Sequence, residues 1–346
     1  MKNHKIKITK KTVFKKSLFK KSNYAKYRIP GIIVTKNDTL LAYYEARKTT
    51  SDWAKIDIVL MRSTDAGKTF SPEVCLVNGV EKDQTVNNPV MIVGNDNTIH
   101  FLYCVEYAVS ERGGGVFYQK SVDDGLTFSA PTDISNSILP AECNVFGLGP
   151  GHGICTKDGV LIVAVWFVKK SFNQSPSSHH PGTVATLFSL DNGSSWQVGE
   201  ELPHCFKDAN ESALAELDTG EIMLNARVKG EGYRGVATSK TGYSGWSELK
   251  LDKSLIDPTC FGSIASVFDA NGKSEILFIN CESKRRRNNL TIKTSFVNGK
   301  SWSKLVTIRK GHAGYADIAS DSKGNIFAAY EVNGGYGEAV AKIRRV

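Results

Sequence analysis

The chain has 346 residues, 41% of them apolar and 23% charged, a composition that excludes a disordered, collagenous or disulfide-stapled protein. Its formal charge of +9 is local: ten lysines and no acid fall in the first 26 residues, and residues 27–346 carry 34 basic against 35 acidic groups. No apolar run reaches 18 residues and no signal-peptide core precedes the first strand, so neither a membrane span nor an export signal is expected, and the chain as written reads as cytoplasmic.

In chain order, the first predicted element is a strand in which lysines alternate with apolar residues, as in Lys5-Ile6-Lys7-Ile8 and Thr12-Val13-Phe14-Lys15. That alternation places the lysines on a solvated face and argues against a nucleic-acid surface. Seven cysteines, odd in number and never in Cys-x-x-Cys spacing, predict free thiols and no zinc. His152 and His312 have no carboxylates at ligand spacing, so no catalytic metal and no cofactor are expected.

Two repeat series then run in phase. The first is a turn of Asx/Gly character leading into an apolar strand: Asn37-Asp38, Asp96-Asn97, Asp158-Gly159, Thr219-Gly220, Asn271-Gly272 and Lys323-Gly324, on average about 57 residues apart. The second has the form Ser-x-Asp-x-Gly-x-Thr/Ser-aromatic, intact at residues 63–70, 121–128 and 189–196 and degraded at 239–246 and 295–302. Its Asp accepts backbone N–H groups, its Gly takes a conformation other residues resist, and its aromatic anchors the turn, so these boxes are scaffold. Six turns with about four short strands each predict an all-β, six-bladed β-propeller over residues 1–346 as one domain. Only 22 residues follow Gly324, so the lysine-rich N-terminal strand is expected to close the last blade.

Charged residues cluster where the strands following these turns should meet at the axis. Arg28 lies in Tyr-Arg-Ile-Pro ahead of an apolar run; Glu45, Arg47, Asp52 and Asp57 bracket a loop that also holds Trp53. Glu211 precedes Arg227 by 16 residues; Arg285, Arg286 and Arg287 precede a strand; Tyr315 stands in the glycine-flanked His-Ala-Gly-Tyr-Ala-Asp. The Gly149–Ile154 stretch (GPGHGI) does not open a helix and is read as the tight lead-in to blade three rather than a phosphate loop.

In the order of these residues the chain resembles the exo-sialidases, the neuraminidase-like glycoside hydrolases. Arg-Ile-Pro, the repeated Asp boxes, an Asp 24 residues after Arg28, the Glu/Arg pair and the late Tyr all match, across essentially the whole chain. The resemblance implies that Arg28, Arg227 and Arg287 grip the substrate carboxylate, with Arg287 chosen over its neighbours for its spacing to Leu290. A planar, permanently charged guanidinium suits that bidentate task better than lysine. It implies Tyr315 as nucleophile, Glu211 as its base in preference to Glu216, Asp52 as acid/base, Arg47 at the sugar's O4 side and Glu331 behind Arg28. A phenol avoids the like-charge repulsion an attacking carboxylate would meet at a carbon already bearing one. Asn88 stands where many relatives have Asp, leaving the nonulosonic acid open; Trp53 either lines the N-acyl pocket or packs, and Asp57 is read as a structural acceptor. The expected activity is retaining hydrolysis of terminal sialic acid from sialylated glycans by a monomer. Sialyl transfer to another sugar, or a non-catalytic glycan-binding propeller, are the alternatives; a lectin needs none of Asp52, Glu211 and Tyr315.

Overall fold

The computed structural model describes residues 6–15, 24–52, 55–79, 84–107, 115–140, 143–169, 178–203, 206–268 and 274–345. They form strands, paired antiparallel except at Gly151–His152, with a single helical turn, Ser135–Ile138. No described helix is long and apolar enough to cross a membrane.

Sheet I runs Lys26–Val34, Leu40–Arg47, Ile56–Ser63, Val74–Val77; sheet II runs Gly151–His152, Gln84–Val93, Ile99–Tyr107, Gly115–Ser121, Thr132–Asp133. Sheet III contains Cys143–Leu148, Leu161–Lys169, Thr183–Ser189 and Gln197–Val198, with Ile154–Cys155 paired beside them. Sheet IV is Ala209–Glu216, Ile222–Val228, Tyr233–Ser239, Lys250–Ile256. Sheet V has seven strands, in the order Ile6–Lys15, Gly337–Arg345, Ile326–Val332, Ser303–Ser320, Asn288–Ser295, Ser274–Cys281, Ser263–Phe268.

The apolar faces meet between sheets, in the manner of a propeller. Leu102 and Val116 of sheet II pack with Phe146 and Val163 of sheet III. Val184 of III packs with Leu214 and Leu224 of IV, Met223 of IV with Phe261 and Phe278 of V, Phe327 of V with Leu40 and Tyr44 of I, and Leu41 of I with Phe101 of II. Each such aromatic or aliphatic side chain withdrawn from water contributes about 1.5–3 kcal/mol.

The repeat predicts six separate blades; strand pairing gives five sheets. The reason is one 18-residue strand, Ser303–Ser320. Its first part pairs with Asn288–Ser295 as far as His312, and its second pairs with Ile326–Val332 from Ala313 onward, so one strand joins the two halves into a single sheet. The two halves of this sheet nonetheless share an apolar core, Leu277, Ile279 and Ile292 against Ile318, Ala328 and Ile343. Ile6–Lys15 pairs antiparallel with Gly337–Arg345.

Two other expectations change. The strand after each Asx/Gly turn is not innermost; in sheets I, II and IV the strand before the turn is the one that reaches the axis. There Asp317 of sheet V accepts the Ile32 N–H of sheet I at 2.9 Å, the Ser263 hydroxyl at 2.6 Å and pairs with His152 at 2.7 Å. The GPGHGI segment does not simply lead into sheet III: Gly151–His152 pairs in parallel with Val90–Met91 of sheet II. The Asp boxes are turns, as read. Ser63 Oγ accepts the Gly67 N–H at 2.9 Å, and Asp65 accepts the Thr69 N–H at 2.8 Å and hydroxyl at 2.6 Å. The same bonds recur at Ser121/Asp123 and Ser189/Asp191.

Candidate active site

The innermost strands share an irregularity. Register shifts fall at Arg28/Gly31, Asn87/Val90, Ala209/Ser212 and Ala313/Ala316, one in each of four sheets. Bulges re-aim side chains and cluster beside active sites. Here they hold Arg28 and Ile29, Asn88, Glu211 and Tyr315. Ile29 and Asn88, each followed by proline, take φ of 54° and 48°, a region costly for a β-branched residue.

At the resulting mouth, Tyr315 is buried and its hydroxyl donates to Glu211 Oε1 at 2.5 Å. Arg227 Nη1 donates to Glu211 Oε2 at 2.5 Å and to the Tyr315 oxygen at 2.8 Å. The Arg28 and Arg287 guanidiniums lie 5.2 and 5.5 Å from the centre of the Tyr315 ring, and Phe261 packs against it at 5.6 Å. Arg287 Nη2 is fixed on the Thr259 carbonyl at 3.4 Å, whereas Arg285 and Arg286 are exposed.

Glu331, almost fully buried, ties three of these parts together. Its Oε1 accepts Arg28 Nε at 3.0 Å and the Ile29 N–H at 3.2 Å, and its Oε2 accepts the Tyr315 N–H at 3.2 Å. The carboxylate comes so close to the backbone that a Cβ at Gly314 would lie 2.0 Å from Oε2.

Across the cleft, Glu45 is fully buried, accepting Arg47 Nε at 2.9 Å, Arg47 Nη2 at 2.5 Å and the Asn88 N–H at 2.8 Å. Arg47 Nη1 donates to Asp52, whose same oxygen lies 3.6 Å from Arg28 Nη1. The Asp52 side chain is 55% exposed, unlike the carboxylates beneath it.

The charges set the protonation states. Burial raises the Tyr315 phenol, with Glu211 adding to the rise and Arg227, Arg28 and Arg287 opposing it, so the phenol keeps its proton. Burial also pushes Glu211 up, but Arg227 and the Tyr315 and Arg227 hydrogen bonds outweigh it and leave the carboxyl below its usual range. Burial likewise pushes Asp52 up, and the charge and hydrogen bond of Arg47, with Arg28 and His179, bring it below. Glu45 goes the other way: burial raises it despite Arg47.

Eight residues singled out from the sequence therefore come together: Arg28, Arg47, Asp52, Glu211, Arg227, Arg287, Tyr315 and Glu331. Glu216 does not, since it sits at the far end of its strand and accepts the Lys157 N–H at 3.0 Å. Asp57 accepts the Gly79 N–H at 2.8 Å and the Tyr24 hydroxyl. Trp53 lies outside the described residues. Sequence reasoning missed Trp166 and His179, which line the cleft with Asn87 and Asn88 and contact each other edge to face at 5.6 Å. Burial pulls the His179 imidazole down, against Asp52 and Glu211. Trp166 did leave a signal. It stands seven positions after the second residue of its turn, as Glu45, Arg227 and Glu331 do after theirs.

Fold and mouth together define a propeller with an arginine-lined axial cleft. Residues 71–328 match the model of the BNR repeat-like domain. A sialidase of Bacteroides fragilis strain YCH46 is 28% identical over 339 residues, covering 89% of this chain and 60% of the relative; a Micromonospora viridifaciens sialidase is 26% identical, covering 89% and 50%. The solved Hadza microbial sialidase Hz136 superposes with a TM-score of 0.81 at 26% identity, over 92% of this chain and 66% of that one. The chain belongs to this BNR repeat-like, sialidase (neuraminidase) family, and spans roughly half to two thirds of the length of these relatives.

Proposed function

We propose that this chain is a retaining exo-α-sialidase, and that residues 1–346 form one propeller domain of six blades. The shared core between the two halves of the seven-stranded sheet supports counting it as two blades joined by Ser303–Ser320. The observation that carries the chemical reading is the Tyr315–Glu211 hydrogen bond of 2.5 Å under three arginines.

Arg28, Arg227 and Arg287 take the substrate carboxylate and aim the anomeric carbon at Tyr315 Oη. As that oxygen attacks, its proton passes to Glu211 Oε1, so the nucleophile gains charge only while the new C–O bond forms. Arg227, already bonded to the phenol oxygen, steadies that developing charge. Asp52 protonates the leaving glycosidic oxygen as the old bond breaks. In the second half Asp52 takes a proton from water, the water oxygen attacks the same carbon, and Glu211 returns the proton to Tyr315; two inversions give retention. Substrate binding also readies Asp52. The incoming carboxylate neutralises Arg28, which faces Asp52 at 3.6 Å, and so lifts the Asp52 carboxyl toward its acid form.

Release of methylumbelliferone from its N-acetylneuraminic acid glycoside tests the reading. The wild type turns over, while Tyr315→Phe and Asp52→Ala, both folded by circular dichroism, each lose about two orders of magnitude or more in kcat. A folded wild type that binds the glycoside without cleaving it would support the glycan-binding alternative instead.

A further inference from the structure

Outside the cleft, the sequence beyond the lysine-rich first strand is nearly charge-neutral, yet one turn carries Lys284, Arg285 and Arg286 in succession, all exposed. The turn is built. Ser283 Oγ accepts the Arg286 N–H at 3.3 Å, and the Asn288 N–H donates back to the Arg286 carbonyl at 2.8 Å. Lys284 Nζ donates to the Tyr233 hydroxyl at 2.6 Å, and the Tyr233 ring also lies 4.4 Å from Lys253 Nζ. Beneath Tyr233, the Gly232 carbonyl accepts the N–H of Asp257 at 3.0 Å, and Asp257 is buried with Arg234. The ledge thus rests on the fold, with Lys284 and Lys253 held against one phenol.

Its cations are not spent on acids. Among the described residues Lys253, Lys284, Arg285 and Arg286 have no acidic partner, while the nearby Glu282 is engaged by Lys293 at 3.2 Å and Lys304 at 2.7 Å. Exposed Glu231 is the one acid in the connection leading to Tyr233. The ledge also abuts the cleft: Arg287, which lies over Tyr315, directly follows Arg286. Consecutive Cα atoms are about 3.8 Å apart, so the Arg286 and Arg285 Cα atoms lie within about 4 and 8 Å of that of Arg287, at the rim beside it.

We infer that this ledge is an aglycone subsite selecting sialosides whose next sugar carries a negative group, a sulfate ester or the carboxylate of a second sialic acid. The inference rests on the sialidase reading and names its substrate class. Arginine forks and a lysine at the rim match oxyanions, and exposed cations act chiefly on encounter and on weak, salt-screened contacts.

The test compares kcat/KM for 3′-sialyl-N-acetyllactosamine and its 6′-sulfated form, which carries the sulfate on the galactose, with an α2,8-linked disialyl lactoside as the carboxylate arm. At about 20 mM salt the wild type favours the sulfated substrate about three- to tenfold, and 0.5 M NaCl brings the ratio toward one. In Lys284→Ser/Arg285→Ser/Arg286→Ser the ratio is near one at low salt, with the unsulfated substrate turned over within about twofold of wild type. A wild-type ratio of one at low salt, or a ratio that survives the triple change, overturns the subsite. A gain on the sulfated arm alone assigns sulfate, and a gain on the disialyl arm alone assigns the carboxylate. If neither glycan is cleaved, the sialidase reading fails. Equilibrium binding of the sulfated and unsulfated pair then still decides the ledge: tighter binding of the sulfated form supports it, equal affinity overturns it.

Discussion

Tyr315 and Glu211 divide one proton unequally because their surroundings differ in the charge each sees. The phenol, buried among a carboxylate and three guanidiniums, holds its proton; the carboxylate, bonded to Arg227, stays ionised. Asp52 is the exposed member, and its resting contacts with Arg47 and Arg28 oppose the acid role. Since kcat/KM reports the free enzyme and kcat the bound one, the basic limb of kcat is predicted to lie at higher pH than that of kcat/KM. Coincident limbs in the two profiles would show that substrate does not relieve Asp52. At this scale most of the site was legible. Arg28, Asp52, Glu211, Arg227 and Tyr315 carry side chains whose chemistry is conspicuous in order and spacing. His179 was not legible, because its place beside Asp52 is made by a connection, not by a repeat position.

The bulge is the element that turns a scaffold strand into a functional one. Prolines at 30 and 89 mark two of the four bulges in the sequence, but Asn210-Glu211 and Gly314-Tyr315 carry no comparable cue, so their shared geometry emerged only in the fold. Gly314 shows how tightly the fourth is built. A methyl group there meets the Glu331 carboxylate, so Gly314→Ala is predicted to destabilise the protein by about 1–3 kcal/mol and to raise KM as Arg28 loses its support. An unchanged melting temperature with unchanged KM would refute this placement.

The neighbouring strand Gly337–Arg345 carries a second consequence. Glu338 is fully buried opposite Glu331, and among the described residues neither of its oxygens has a hydrogen-bond partner. Burial, reinforced by Glu331, holds its carboxyl well above the ordinary range, so it is neutral in the fold. The unfolded chain releases this proton near pH ~4.3 and the folded one keeps it. The folded state then binds more protons, and stability falls as pH rises from that value toward the folded pKa. Glu338→Gln removes the effect, so its melting-temperature gain over wild type should be small near pH 4 and grow toward pH 7–8. A gain independent of pH would contradict a neutral Glu338.

For the whole molecule, the repeat announced a propeller because turn chemistry is local and periodic. It misjudged the sheet count because continuity of Ser303–Ser320 depends on the backbone passing unbroken through Lys310-Gly311-His312, which residue types alone do not report. The same closure assembles the cleft: Arg28 comes from sheet I, Asn88 from II, Trp166 from III, Glu211 and Arg227 from IV, and Tyr315, Arg287 and Glu331 from V or its adjoining turn. The proposed covalent sugar on Tyr315 would form in a cleft to which all five sheets contribute. The most direct measurement is intact-protein mass spectrometry after incubation with a 2,3-difluoro sialic acid, followed by peptide mapping. The account predicts one added 3-fluorosialyl group, located on Tyr315, absent in Tyr315→Phe and lost slowly as activity returns. A turning-over enzyme that gains no adduct, or gains it on Glu211 or Asp52, would contradict the tyrosyl mechanism.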